Sequence, residues 1–138
     1  ASKERQDVNV TLYTGREVAR SDAKMTKAGF KDYGNRLLRF ARRVIAETSE
    51  SKRQQEAFPA LQVLHSTISE NPQHGEEIFR VAKRALKKKQ RVHGVIFAVR
   101  KALRNGHTPE EVIEQALAAV RKEKHADDYL AGKFAQKK

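Results

Sequence analysis

The stretch Val92-His-Gly-Val-Ile-Phe-Ala-Val-Arg-Lys-Ala-Leu-Arg-Asn-Gly-His-Thr-Pro-Glu-Glu-Val-Ile-Glu-Gln-Ala-Leu-Ala-Ala-Val120 decides the fold class. Val92, Val95, Ile96, Val99, Ala102 and Leu103 recur at spacings of three and four, the period of a helix with one apolar face. Asn105-Gly106 is a helix stop, because glycine enters the left-handed conformation without a Cβ clash. Thr108-Pro109-Glu110-Glu111 then opens a second helix: a capping hydroxyl, a proline where no amide is needed, and a glutamate in capping-box position. Val112, Ile113, Ala116, Leu117 and Val120 give that helix its buried side.

The same period extends outward in both directions. Phe30, Tyr33, Leu37, Ala41, Val44 and Thr48 form one stripe. Ser49-Glu50-Ser51 reads as a connection, and Phe58, Leu61, Leu64/His65 and Ile68 as the next stripe, with Pro59 in its first turn. Asn71-Pro72-Gln73-His74-Gly75 is a loop signal. Ile78, Val81, Ala82, Ala85 and Leu86 follow, with Glu76 and Glu77 at the positive end of their helix. Lys87 to Gly94 reads equally as a turn or as continued helix. Tyr129, Leu130 and Phe134 anchor a tail over 126–138. The expectation is an all-α bundle of four to five helices over 27–138, with a flexible or extended N-terminal arm over 1–26. Within that arm only Val8-Asn9-Val10-Thr11-Leu12-Tyr13 alternates at the strand period.

Arg36-Leu-Leu-Arg-Phe-Ala-Arg-Arg-Val-Ile45 resembles Glu77-Ile-Phe-Arg-Val-Ala-Lys-Arg-Ala-Leu86, and a Lys/Arg/Gln segment and an apolar helix follow each. A duplicated helical hairpin reads this way. So do two unrelated basic amphipathic helices.

Charge carries the functional signal. The chain has 29 Lys+Arg against 17 Asp+Glu, a formal net charge of +12, within a composition that is 38% hydrophobic and able to form one core. Such an excess attracts polyanions. No acidic residue lies between Asp32 and Glu47, where Arg36, Arg39, Arg42 and Arg43 cluster, and none from Arg80 to Arg104. Besides Lys89, the second run holds Arg80, Lys83, Arg84, Lys87, Lys88, Arg91, Arg100, Lys101 and Arg104, and on one continuous helix Arg80, Lys83, Arg84, Lys87 and Arg91 would share a broad face opposite the apolar stripe. Like charges at i, i+3 and i+4 destabilise an isolated helix, and a phosphate chain relieves that repulsion by displacing condensed counterions. These residues are the candidate nucleic-acid contacts, reading backbone rather than base identity. They form one groove wall only if their helices lie side by side. Phe40, Phe79 and Phe97, each near Arg or Lys, are core-edge residues or stacking surfaces for unpaired bases.

Other chemistry finds little purchase. There is no cysteine, hence no disulfide and no thiolate nucleophile or ligand, which fits a reducing cytosol. No apolar run is long enough for a membrane span, and no signal-peptide core follows Ala1. The expected location is therefore cytoplasmic. His65, His74, His93, His107 and His125 show no metal-ligand spacing, and His65 falls on an apolar stripe. Asp127-Asp128 reads as surface charge. Gly15, Gly29 and Gly34 are too scattered for a phosphate loop. The expectation is no catalytic residue, no metal and no cofactor. The hairpin over 95–123 invites a helix-turn-helix reading, but Glu110, Glu111 and Glu114 place carboxylates where a recognition helix presents donors. An alternative function is a protein-interaction or translocation-signal module whose basic face docks on an acidic partner.

Ile96-Phe-Ala-Val-Arg-Lys-Ala-Leu-Arg-Asn-Gly-His-Thr-Pro-Glu-Glu-Val-Ile-Glu-Gln-Ala-Leu117, followed by His125-Ala-Asp-Asp-Tyr-Leu130, resembles a helical stretch near the C-terminus of plasmid mobilisation relaxase–primase proteins. The likeness spans residues 96–130. The relaxase tyrosine and histidine cluster and the primase carboxylate motifs have no counterpart in this chain. The resemblance therefore implies an accessory module in plasmid or phage DNA processing, without the catalytic centre. It would touch single-stranded DNA or be read by a secretion coupling protein, and it tips the expected ligand toward DNA over RNA.

Overall fold

The computed structural model describes residues 22–137. The expected strand over 8–13 and most of the expected arm lie outside them. All regular structure among the described residues is helical: α1 (22–27), α2 (Tyr33–Glu47), α3 (Phe58–Glu70), α4 (Gly75–Lys87), α5 (Val92–Arg104), α6 (Pro109–Lys122) and α7 (Ala126–Lys133). Seven helices replace the four to five expected. The two additional ones are short. Residues 22–27 present a single apolar anchor, Met25, which is fully buried, so they show no periodicity to read. At the other end Glu123-Lys124-His125 breaks the backbone after α6, and α7 sets Leu130 into the core as a helix of its own.

Three helices end in the same way. Gly29, Lys89 and Gly106 take positive φ of 98°, 59° and 93°. In each case the next amide reaches back to close the last turn: Phe30 N to Met25 O at 2.8 Å, Gln90 N to Ala85 O at 2.8 Å, His107 N to Ala102 O at 3.2 Å. These are Schellman closures. The one after α4 settles the ambiguous segment: the helix stops at Lys87, and Lys88–Arg91 is a turn. At α6 the Thr108 hydroxyl accepts from Glu111 N at 3.3 Å, the cap read from sequence.

The core is continuous. α3 lies at its centre, packed along α4 and α5, and buries Leu61, Leu64 and Ile68. The buried Thr67 hydroxyl on this helix donates to Val63 O at 2.6 Å, which offsets the cost of its burial. A short 3-10 turn and a π turn over 50–57 link α2 to α3. Helix α7 rests on α5 and α6. A Cβ on Gly94 would lie 2.7 Å from Asp127 Oδ2 and 2.8 Å from Asp127 Cβ, so glycine is what lets the first turns of α5 and α7 meet.

Where the internal similarity aligns α2 with α4, the equivalent pairs Leu37/Ile78, Phe40/Val81, Ala41/Ala82 and Val44/Ala85 are all buried. The connections that follow differ: a 3-10 and π passage after α2, a tight turn after α4.

Candidate nucleic-acid interface

Helices α2 and α4 come together through aromatic rings. Phe40 meets Phe79 edge-on at 5.3 Å between centroids, and Phe30 meets Phe79 at 5.7 Å. Phe40 and Phe79 are 4% and 3% exposed, so neither offers a face to a base; of the three candidate stacking rings only Phe97 is open, at 52%. Buried rings here act as a joint between two basic helices whose backbones are packed mainly against other elements.

Over that joint lies an open groove of about 410 Å³, lined by Asp32, Arg36, Arg39, Arg43 and Lys83 above Phe40 and Phe79. The α2 arginines recur at three and four and so share one stripe. Arg36 is the most constrained. Its guanidinium sits 4.6 Å from the Phe30 centroid and 5.5 Å from Phe79, and its Nη1 donates to Glu76 Oε1 at 2.7 Å. Ring and carboxylate fix its plane. Arg39 reaches Asp32 Oδ2 at 3.3 Å from a largely exposed position, a contact worth little in water. Lys83 Nζ lies 5.7 Å from the Phe79 centroid. Arg43 and Lys83 have no carboxylate partner among the described residues.

Beyond Lys83, the exposed ridge of α4 carries Arg80, Arg84 and Lys87, with Lys88 at its C-cap. The far flank of the ridge is a second groove between α4, α6 and α7. Arg84 lines it together with Arg121 and Lys122, two cations absent from the sequence-based set. Glu123 interrupts the run Arg121-Lys122-Glu123-Lys124, so it does not stand out as acid-free; only the packing of α6 against α4 gives Arg121 and Lys122 a place beside the ridge.

The remaining candidates are not gathered there. Arg42 is next to Arg43 in sequence and therefore about 100° round the helix from it, outside the groove. Arg91 is not on the α4 face, because the turn at Lys89 ends that helix first; it lines a separate cavity of about 390 Å³ whose walls include Glu47, Glu56 and Asp127. Lys101 borders a concavity on the α5–α7 side with Asp127 and Asp128. Arg100 and Arg104 are both held by Glu70: Arg100 Nε donates to Oε2 at 3.1 Å and Arg104 Nη2 to the same oxygen at 2.9 Å. The Arg100 hydrogen bond, reinforced by Arg104 and opposed by partial burial, holds the Glu70 carboxyl below its ordinary range. The acid-free run in the sequence is thus neutralised in part by a carboxylate from α3.

Tyr33 and His65 form a distinct pair. The phenol is fully buried and lies 2.7 Å from His65 Nδ1, with the rings stacked at 5.9 Å. Burial pushes the phenol pKa well above its usual value. With no exposed surface on Tyr33, the pair bears on the core rather than on the groove. No set of three or more His, Asp or Glu side chains among the described residues is placed to hold a metal, and no helix among them is long and apolar enough to cross a membrane.

Comparison with protein families, with curated proteins and with solved structures finds no match to this chain.

Proposed function

We propose that the chain binds nucleic acid by its phosphate backbone, with α2 and α4 as the contact surface. One observation carries the reading: Arg36, Arg39, Arg43 and Lys83 converge on a single groove, facing Asp32 and Glu76 as the carboxylates nearest to them. A groove lined mainly by one sign of charge on a low-dielectric aromatic floor concentrates counter-charge. The ridge residues Arg80, Arg84 and Lys87 extend it along α4. Guanidiniums suit phosphate, whose oxygens they meet two at a time. Contacts to phosphate position a protein without identifying bases, so the binding proposed is sequence-tolerant. The likeness of residues 96–130 to a relaxase–primase stretch supports DNA over RNA and an accessory place in plasmid or phage DNA processing.

The deciding experiment is a fluorescence-anisotropy titration with single- and double-stranded DNA and RNA at several salt concentrations. Micromolar or tighter binding with a steep inverse dependence on salt is expected. Binding that is absent at low salt, or that ignores salt, removes the proposal. An acidic protein partner on the same face is distinguished by competition: unrelated DNA displaces a nucleic-acid ligand from these residues.

A further inference from the structure

Two large side chains with aromatic rings stand exposed among the described residues, Phe97 at 52% and Tyr129 at 40%. Their surroundings differ. Phe97 borders a concavity that also holds Asp127 and Asp128, on the α5–α7 side. Tyr129 lines the groove of about 550 Å³ between α4, α6 and α7, and that groove begins at Arg84 on the α4 ridge. The floor is small and apolar at Leu117 and Ala118. Arg121 and Lys122 stand at its edge, and Glu114 and Glu123 lie within it, leaving cations in a slight excess.

Lys83 and Arg84 are consecutive on α4, yet one lines the α2 groove and the other the Tyr129 groove. The ridge therefore has the arginine-lined groove on one flank and, on the other, a concavity in which the open Tyr129 ring shares the lining with Leu117 and Ala118. Aromatic rings next to a cationic backbone track are how unpaired bases are held: every base has a π face, so the contact tolerates any sequence. A duplex keeps its bases stacked inside and has nothing to offer Tyr129. Resting on the proposed function above, we infer that the Tyr129 groove takes an unpaired base from a strand whose phosphates lie over α4, so that the preferred ligand is single-stranded.

The chain has no tryptophan, so Tyr129→Trp places a lone indole reporter in the groove. Titration of that variant with oligothymidylate quenches the indole, while inorganic polyphosphate, which has charge but no bases, leaves it bright. In parallel, Tyr129→Leu, which keeps apolar bulk without a π face, binds oligothymidylate at least about fivefold more weakly than wild type, since one stacked base contributes about 1 kcal/mol or more. Tyr129→Phe stays within about twofold, and duplex and polyphosphate affinities are the same in all three proteins. Equal oligothymidylate binding by wild type and Tyr129→Leu overturns the stacking site while leaving the phosphate groove intact. A wild-type protein that binds neither oligothymidylate, duplex nor polyphosphate overturns both.

Discussion

Removing Arg43 and Lys83, the two groove cations with no carboxylate partner among the described residues, isolates the proposed contact most cleanly. The double variant Arg43→Gln/Lys83→Gln deletes two phosphate contacts and frees no buried charge, since both side chains are exposed. For duplex DNA each contact contributes about 0.9 to the slope of log K against log salt, so the slope falls by about 1.8. Measured from 1 M salt, where that term vanishes, each contact is worth about 0.7 log unit at about 0.15 M. Two contacts then amount to roughly 30-fold in affinity, rising to roughly 200-fold at about 0.05 M. For single strands, with about 0.7 per contact, the loss at about 0.15 M is roughly 15-fold. Anisotropy titrations at four or five salt concentrations read both quantities. The matched control is Arg42→Gln/Lys101→Gln, which removes the same charge from positions outside the groove. Surface changes of this kind alter stability by at most about 0.5 kcal/mol, so urea midpoints should coincide. If the two double variants lose affinity and slope equally, only the overall charge matters and the α2–α4 groove is not the site.

Glu76→Gln should change binding in the opposite direction, because it releases Arg36 from the carboxylate it now contacts; affinity for polyanions is expected to rise by about fivefold at about 0.15 M salt, and a decrease would mean that Glu76 orients Arg36 productively. Gly94→Ala should destabilise the fold by about 1–3 kcal/mol in urea denaturation through its clash with Asp127, although alanine elsewhere in a helix stabilises relative to glycine; Asp127→Gly in the same chain should recover part of the loss, and a stabilised Gly94→Ala would show that α7 does not sit where described. The raised Tyr33 phenol favours the protonated form in the folded state, so its contribution is complete below the ordinary value of 10.0 and is lost as pH climbs above it; denaturation midpoints should fall above that pH in wild type and fall less steeply in Tyr33→Phe, which itself costs about 1–2 kcal/mol at neutral pH through the lost partner of His65.

Much of the helical order was legible because its signals are local. Thr108-Pro109-Glu110-Glu111, Asn105-Gly106 and the three-four spacing of Val92 to Leu103 each act within a few residues, and each appears in the structure as read. The turn after α4 was not decidable, since its left-handed residue is Lys89 and lysine advertises no such conformation. The candidate site was legible only as an inventory. Sequence puts Arg36, Arg39 and Arg43 on one stripe, but that Phe40 and Phe79 bring this stripe against Lys83 is a fact of tertiary packing. The same applies to subtraction. An acid-free run from Arg80 to Arg104 looks uniformly available until Glu70, distant in sequence, claims Arg100 and Arg104. Arg121 and Lys122 enter for the converse reason, through the neighbour that α6 finds.

The lysine at the α4 terminus has a dynamic consequence. A side chain with a Cβ held in the left-handed region costs about 1 kcal/mol that glycine would not, so this closure is expected to open more readily than those at Gly29 and Gly106, with the Gln90 side-chain bonds to Glu123 O and Ala126 N holding against it. Amide exchange at Lys88, Lys89 and Gln90 is therefore expected to outpace that at the other two closures. Lys87 and Lys88 lie at that closure. If the proposed phosphate contacts are made, ammonium groups beside an opening turn would adjust to unevenly spaced charges, with Arg36, clamped between ring and carboxylate, as the fixed point from which they swing.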